Sequence, residues 1–208
     1  MYKIMSASLG LALLAACNAT ATTDAGAFNA LAAEYNDLAA DYSATGRVGA
    51  ADVALFGSAT YNGAMRIQVD TVQPTDVLGE ASINVNFGAD TIAASFGNFF
   101  GQANGRPVEA WTETVPVRAG GVIDVSQPGQ QFVQTTLSGT LRSASGNVLT
   151  LGPVPLDGSF RDTAPSRFSP PDAMVLQTGP GSIRLDGLNY GTELGNGCET
   201  CVIVLAAD

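Results

Sequence analysis

The side chains that could do chemistry in this chain are few, and what is missing narrows the field as much as what is present. The 208 residues carry three cysteines, 19 Asp+Glu, nine Lys+Arg and no histidine, for a formal net charge of −10. Without histidine the chain cannot build a Ser-His-Asp or Cys-His centre, an imidazole zinc site or an imidazole pH switch. No Gly-x-Ser-x-Gly elbow occurs either. Asp70, Asp76, Glu80, Asp90, Asp157, Asp162 and Asp186 could supply a carboxylate pair for glycoside hydrolysis or an oxygen cage for Ca²⁺, but no spacing singles out two of them. A solvated acidic surface explains those positions more simply. Haem ligation would fall to Tyr or Met, with Tyr61, Met65, Met174 and Tyr190 as candidates, and core packing is the simpler role for each. The sequence therefore predicts no catalytic residue, no metal ligand and no cofactor. Nucleic acid is excluded as a partner on charge, because Lys3 is the sole lysine and phosphate binding rests on displaced counterions.

The cysteines say more. Residues 1 to 16 combine a short n-region with Lys3, an apolar run from Ile4 to Leu14 that is too short to span a bilayer, and a small-residue cleavage site. Leu14-Ala15-Ala16-Cys17 resembles a bacterial lipobox, which implies that Cys17 is acylated and becomes the first mature residue. Several acyl chains hold a protein on a membrane where one would be marginal. Removing residues 1 to 16 also removes Lys3, and the net charge becomes −11. Residues 17 to 26 then form a polar tether with a reach on the order of 30 Å. Asn18, in place of an inner-membrane retention Asp, points to the outer membrane. With Cys17 lipidated, Cys198 and Cys201 are left to pair. A Cys-x-x-Cys bridge of this kind closes a very small loop and contributes only about 2 kcal/mol.

The folded part opens with one helix. Phe28, Leu31, Tyr35, Leu38 and Tyr42 share a face over residues 27 to 43, with a polar cap near Asp24 and Gly46 beyond the end. It reads as a helix packed on, or plugging, the domain that follows. From Val53 the period falls to two. Met65, Ile67 and Val69, then Ala81, Ile83, Val85 and Phe87, then Val133, Thr135, Leu137 and Leu141 alternate with polar neighbours. Further strands are predicted over 53–61, 90–97, 108–118, 121–126, 147–156, 173–177, 181–187 and 201–206, separated by turns such as Gly88-Ala89-Asp90, Gly120-Gly121 and Ser145-Gly146-Asn147. The expected fold is all-β: an antiparallel β-barrel of eight to ten strands over residues 46 to 208, preceded by the helix at 27 to 45. Aromatic residues make up only 7% of the chain, too few for the two girdles of a membrane-spanning barrel. The segment Phe160 to Asp172 interleaves Arg161 and Arg167 with aromatic residues and several prolines. It cannot join a central strand, and its composition suits a partner surface at Arg161, Arg167 and Phe168.

The segment Phe56-Gly57-Ser58-Ala59-Thr60-Tyr61-Asn62-Gly63, the strand from Gly79 to Phe87-Gly88 and the strand Thr91 to Phe96 resemble the opening strands of the transferrin-binding-protein-B type barrel. Leu137 to Leu141 and Leu156 to Phe160 resemble its later glycine-containing strands. The resemblance covers residues 53 to 160 and implies an eight-stranded antiparallel barrel on a lipid tether, among surface or periplasmic lipoproteins that bind host iron proteins, haem proteins or other ligands. The family's closing strand, second lobe and long charged loops are not present in this sequence, so transferrin binding and its contact residues do not carry over. The expected function is non-enzymatic binding of a protein or small-molecule partner at the envelope. A structural outer-membrane lipoprotein without a soluble ligand is the alternative. Expressed with its leader in a bacterial host, the protein is expected to enter the detergent phase of a phase-separating extract and to carry acyl mass on Cys17. Cys17→Ser should leave it in the aqueous phase, and an unmodified intact mass for the wild type would remove the anchor.

Overall fold

A computed structural model describes residues 23–69, 75–103, 105–126, 131–178, 182–185, 188–191 and 200–207. Helix α1 spans Asp24–Ala44 and is capped by Thr23, whose hydroxyl accepts a hydrogen bond from the Gly26 amide at 3.1 Å. The cap frees Asp24 for another task, since its carboxylate accepts from the Ala110 amide and ties the start of the helix to the strand wall. After a two-residue strand β1 (Gly46–Arg47) come β2 (Ser58–Val69), β3 (Thr75–Asn86), β4 (Thr91–Ala103), β5 (Glu109–Ile123), β6 (Val133–Ser143) and β7 (Val148–Asp162). The chain continues through β8 (Ala173–Thr178), β9 (Ser182–Leu185), β10 (Leu188–Gly191) and β11 (Thr200–Ala207).

Strands β2 to β7 form an antiparallel meander. Strand β8 pairs with β7, and β11 lies between β8 and β2, so the eight strands close into the expected barrel. The short β9–β10 hairpin continues along the β7 edge beyond β8, and β1 pairs with the far end of β7. Closure leaves no long unpaired edge on the wall.

The period-two pattern sets the inside and the outside. Tyr61, Met65, Ile67, Ile83, Leu137 and Leu156 are buried in one contiguous interior cluster, while Thr60, Asn84, Gln134 and Ser138 on the same strands face outward. Apolar side chains inside and polar ones outside are the reverse of a lipid-embedded barrel. Among the described residues no helix is long and apolar enough to cross a membrane. The helix does not plug the barrel. Leu31, Tyr35 and Tyr42, with Phe28 and Leu38 beside them, pack on the outer wall over Ala64, Leu78, Ala173 and Leu205. Arg66 joins that seam, paired with Asp76 at 2.8 Å and with its guanidinium 5.8 Å from the Tyr35 ring centroid.

Two predicted boundaries are corrected. The predicted strand 53–61 and the alternating residues Met65, Ile67 and Val69 do not belong to separate strands: β2 runs on through Gly63, and 53–57 stay outside it. Likewise Gly120-Gly121 is no turn, and 108–118 and 121–126 run on as β5. The reason at Gly121 is a close approach: a Cβ there would run into the Gln134 carbonyl oxygen and sit 2.7 Å from the Thr135 Cα. Glycine lets β5 and β6 come together while the wall coils. Gly121→Ala is therefore expected to cost about 1–3 kcal/mol, read as a lower midpoint in thermal or urea unfolding. Gly152→Ala, with open space around it and no left-handed backbone, should cost less than Gly121→Ala.

Candidate functional site

The antiparallel order gathers at one end of the barrel the start of β2, the β3–β4 turn, the end of β5, the end of β7 and the start of β8. The segment from β1 to β2 crosses this mouth. Val48, Val53 and Ala54 turn inward and join the interior cluster, where Phe87 and Phe160 also meet, with ring centroids 5.5 Å apart. Leu55 and Phe56 are left outside, 53% and 57% exposed. Gly57 then takes a left-handed backbone (φ +89°), and its carbonyl accepts from the Phe87 amide, which fixes the entry to β2.

The loop 163–172 lies beside this crossing and is held at both ends. Asp162, buried at the end of β7, accepts from the Ala164 amide at 2.6 Å, and the Asp172 carboxylate accepts from both the amide and the hydroxyl of Thr163. The Tyr61 hydroxyl donates from the barrel interior to the Pro171 carbonyl at 3.0 Å. Inside the loop, Ser166 accepts from the Phe168 and Ser169 amides, and the resulting turn pushes Phe168 out to 71% exposure. The Leu55 amide donates to the Arg167 carbonyl at 3.2 Å and so joins the two loops. The Arg167 guanidinium lies 6.0 Å from the Phe168 ring centroid. Of the six large hydrophobic side chains exposed among the described residues, Leu55, Phe56, Val122, Val125 and Phe168 sit at this end, and only Val115 lies mid-wall.

The predicted partner residues therefore divide. Arg167 and Phe168 are on the rim. Arg161 lies within β7 opposite Arg47 and donates to the Thr45 carbonyl at 3.0 Å, holding the helix C-terminus against the barrel. Burial, with the neighbouring Arg47 charge, pulls the Arg161 pKa below its ordinary value. The sequence reading placed Leu55 and Phe56 inside a strand over 53–61, and the structure corrects this to a loop; their adjacency ahead of Gly57, which breaks the alternation, was the available signal. The carboxylates weighed earlier also disperse: Asp76 is paired with Arg66, Glu80 accepts from Asn98, and Asp162 serves the loop. Tyr61, Met65 and Met174 are core residues. Cys17, Cys198, Asp70 and Asp186 lie outside the described residues, while Cys201 is placed in β11 opposite Gln68 and Tyr190 in β10 opposite Ile183. Among the described residues no group of three or more Cys, Asp or Glu is arranged to hold a metal ion.

Compared with protein-family models, curated proteins and solved structures, the chain matches none. The eight-stranded antiparallel barrel rests on the strand pairing alone.

The last turns of α1 are pinned beside the rim by Tyr42, whose hydroxyl donates to the Ala206 carbonyl. Burial pushes its pKa up from 10.0 to about 12, partly offset by hydrogen bonding to the Met174 and Ala206 backbone. The unfolded chain gives up this proton near pH 10 and the folded chain does not, so the contribution is complete below pH 10 and is lost as the pH rises towards 12. Tyr42→Phe is expected to lower stability by about 1–2 kcal/mol at pH 8 by removing a buried hydrogen bond between the helix and β11. Chemical unfolding from pH 8 to 12 should show a shallower alkaline decline for this variant than for wild type.

Proposed function

We propose that this protein is a non-enzymatic binding module of the bacterial envelope, tethered by a lipid on Cys17, that engages a protein partner through the loop rim around Leu55, Phe56, Arg167 and Phe168. The observation that carries the reading is the concentration of large exposed apolar side chains on two hydrogen-bonded loops at one end of the barrel. Contiguous apolar exposure is costly to maintain in water and marks interaction surfaces, and aromatic residues with arginine are the types that dominate binding energy. The interior supports the same assignment. It is filled by its own side chains, with Val48, Val53 and Ala54 across the mouth, so binding falls to the loops. The lipobox-like segment, the polar tether residues and the resemblance to lipoprotein barrels support a tethered module, and Asn18 after the lipidated position favours the outer membrane. The partner itself is not named by this chemistry.

Pull-down from envelope extract and growth medium with the mature protein tests the rim. Wild type is expected to retain a partner that Phe56→Asp/Phe168→Asp loses, while the variant keeps its unfolding midpoint because both side chains are already exposed. An identical profile for the two proteins would discard the rim as the binding surface. Recovery of no partner, together with loss of envelope integrity on deletion, would instead favour a structural lipoprotein.

A further inference from the structure

A second surface lies next to the rim and differs from it in chemistry. The last turns of α1 and the loop 163–172 stand apart over the ends of β8 and β11 and enclose a groove of about 690 Å³, within the usual range for small-molecule sites. Its apolar surface comes from Leu38, Tyr42, Pro170, Pro171, Ala173 and Ala207. The Tyr42 hydroxyl is already committed to the Ala206 carbonyl, so this side chain offers its ring. The charged groups of the lining are two carboxylates, Asp41 from the helix and Asp172 from the loop, and no lysine or arginine lines the groove. Asp172 is held in place by its two hydrogen bonds from Thr163.

The helix adds to this field. Its C-terminus opens beside the groove and carries partial negative charge from the aligned peptide dipoles; the last turn contains no basic residue, and Arg161 at the Thr45 carbonyl offsets part of that charge. Arg161 reaches this helix end, donating to the Thr45 carbonyl, but it approaches from the β1–β7 side and does not line the groove. An anion would meet two carboxylates and a helix C-terminus. A neutral apolar molecule would cover the walls but leave the carboxylates without a counter-charge, and an inorganic cation would leave the apolar walls wet.

From this complementarity we propose that the groove binds a small organic cation with an apolar body, its ammonium between Asp41 and Asp172 and its hydrocarbon part against Leu38, Pro171 and Ala207. The inference is independent of the rim and its partner. Either surface can fail its test without affecting the other.

Calorimetric titration of the mature chain carrying Cys17→Ser with 4-phenylbutylamine, and with the uncharged 4-phenylbutanol as its near-isostere, tests the proposal. The amine is expected to bind at least tenfold more tightly than the alcohol and to weaken with added salt, as an exposed ion pair does. Asp41→Asn and Asp172→Asn should each weaken amine binding several-fold. Asparagine at 172 keeps an acceptor for Thr163. Ala44→Lys, at an exposed position in the last helical turn, places a built-in ammonium at the groove. This residue favours the helix end, so loss of amine binding with an unchanged or raised unfolding midpoint would report occupation of the site and not damage to the fold. Equal binding of amine and alcohol, undiminished binding in Ala44→Lys, or no binding of the amine at millimolar concentration would each overturn the proposal.

Discussion

Closure of the sheet by β11 is the interaction on which the rest of the molecule depends. This strand hydrogen-bonds β2 on one side and β8 on the other, joining the two ends of the meander. Without it the wall would present two open edges, and the interior cluster would face water along a seam. The same strand carries the helix, because Leu205 lies under α1 and the Ala206 carbonyl takes the Tyr42 hydroxyl. Barrel closure and helix docking are therefore coupled through a few residues near the end of the chain, while the other face of β11 supplies Val204 and Ala206 to the interior.

A closed wall packed solid with its own side chains leaves few places for function. The outward strand positions are mostly small and polar, and the interior is taken. What remains is the irregular backbone at the rim and the seam where the helix leaves the barrel. At the rim the chain faces a geometric problem, since the segment from β1 to β2 must cover the mouth. Val48, Val53 and Ala54 solve it by turning inward, which forces their neighbours Leu55 and Phe56 to the outside. Proline content does comparable work in the neighbouring loop, where the Pro171 carbonyl is held by Tyr61 from inside the barrel while Phe168 projects. Sealing the core and exposing the apolar loops are two results of the same local geometry.

Much of the fold was legible because both periods are strong. Phe28, Leu31, Tyr35, Leu38 and Tyr42 define the helix face that docks, and the alternating residues of β2, β3 and β6 face inward as their spacing requires. The turns at Gly88-Ala89-Asp90 and Ser145-Gly146-Asn147 fall between strands. The proline rule placed 160–172 outside the sheet, which holds for 163–172, whereas Phe160, Arg161 and Asp162 complete β7. Gly120-Gly121 misled because glycine marks both a turn and a close approach of two strands, and only the position of Gln134, brought alongside by the fold, tells them apart. The site was less legible. Asp41 and Asp172 are far apart in sequence and line one groove only because β11 carries the helix to the start of β8. Arg161 looked like part of an exposed cluster, and the pairing of β1 with β7 turned it into a tie for the helix end.

The direction of α1 has a further consequence. Its start is fixed by Asp24 to the beginning of β5, and its end by Tyr42 to the finish of β11, so it runs the length of the wall as a strut of about 30 Å. The start of the helix thus lies at the pole opposite Phe56 and Phe168. If the proposed lipid on Cys17 anchors that end, the exposed apolar side chains of the rim face away from the attachment by the height of the barrel.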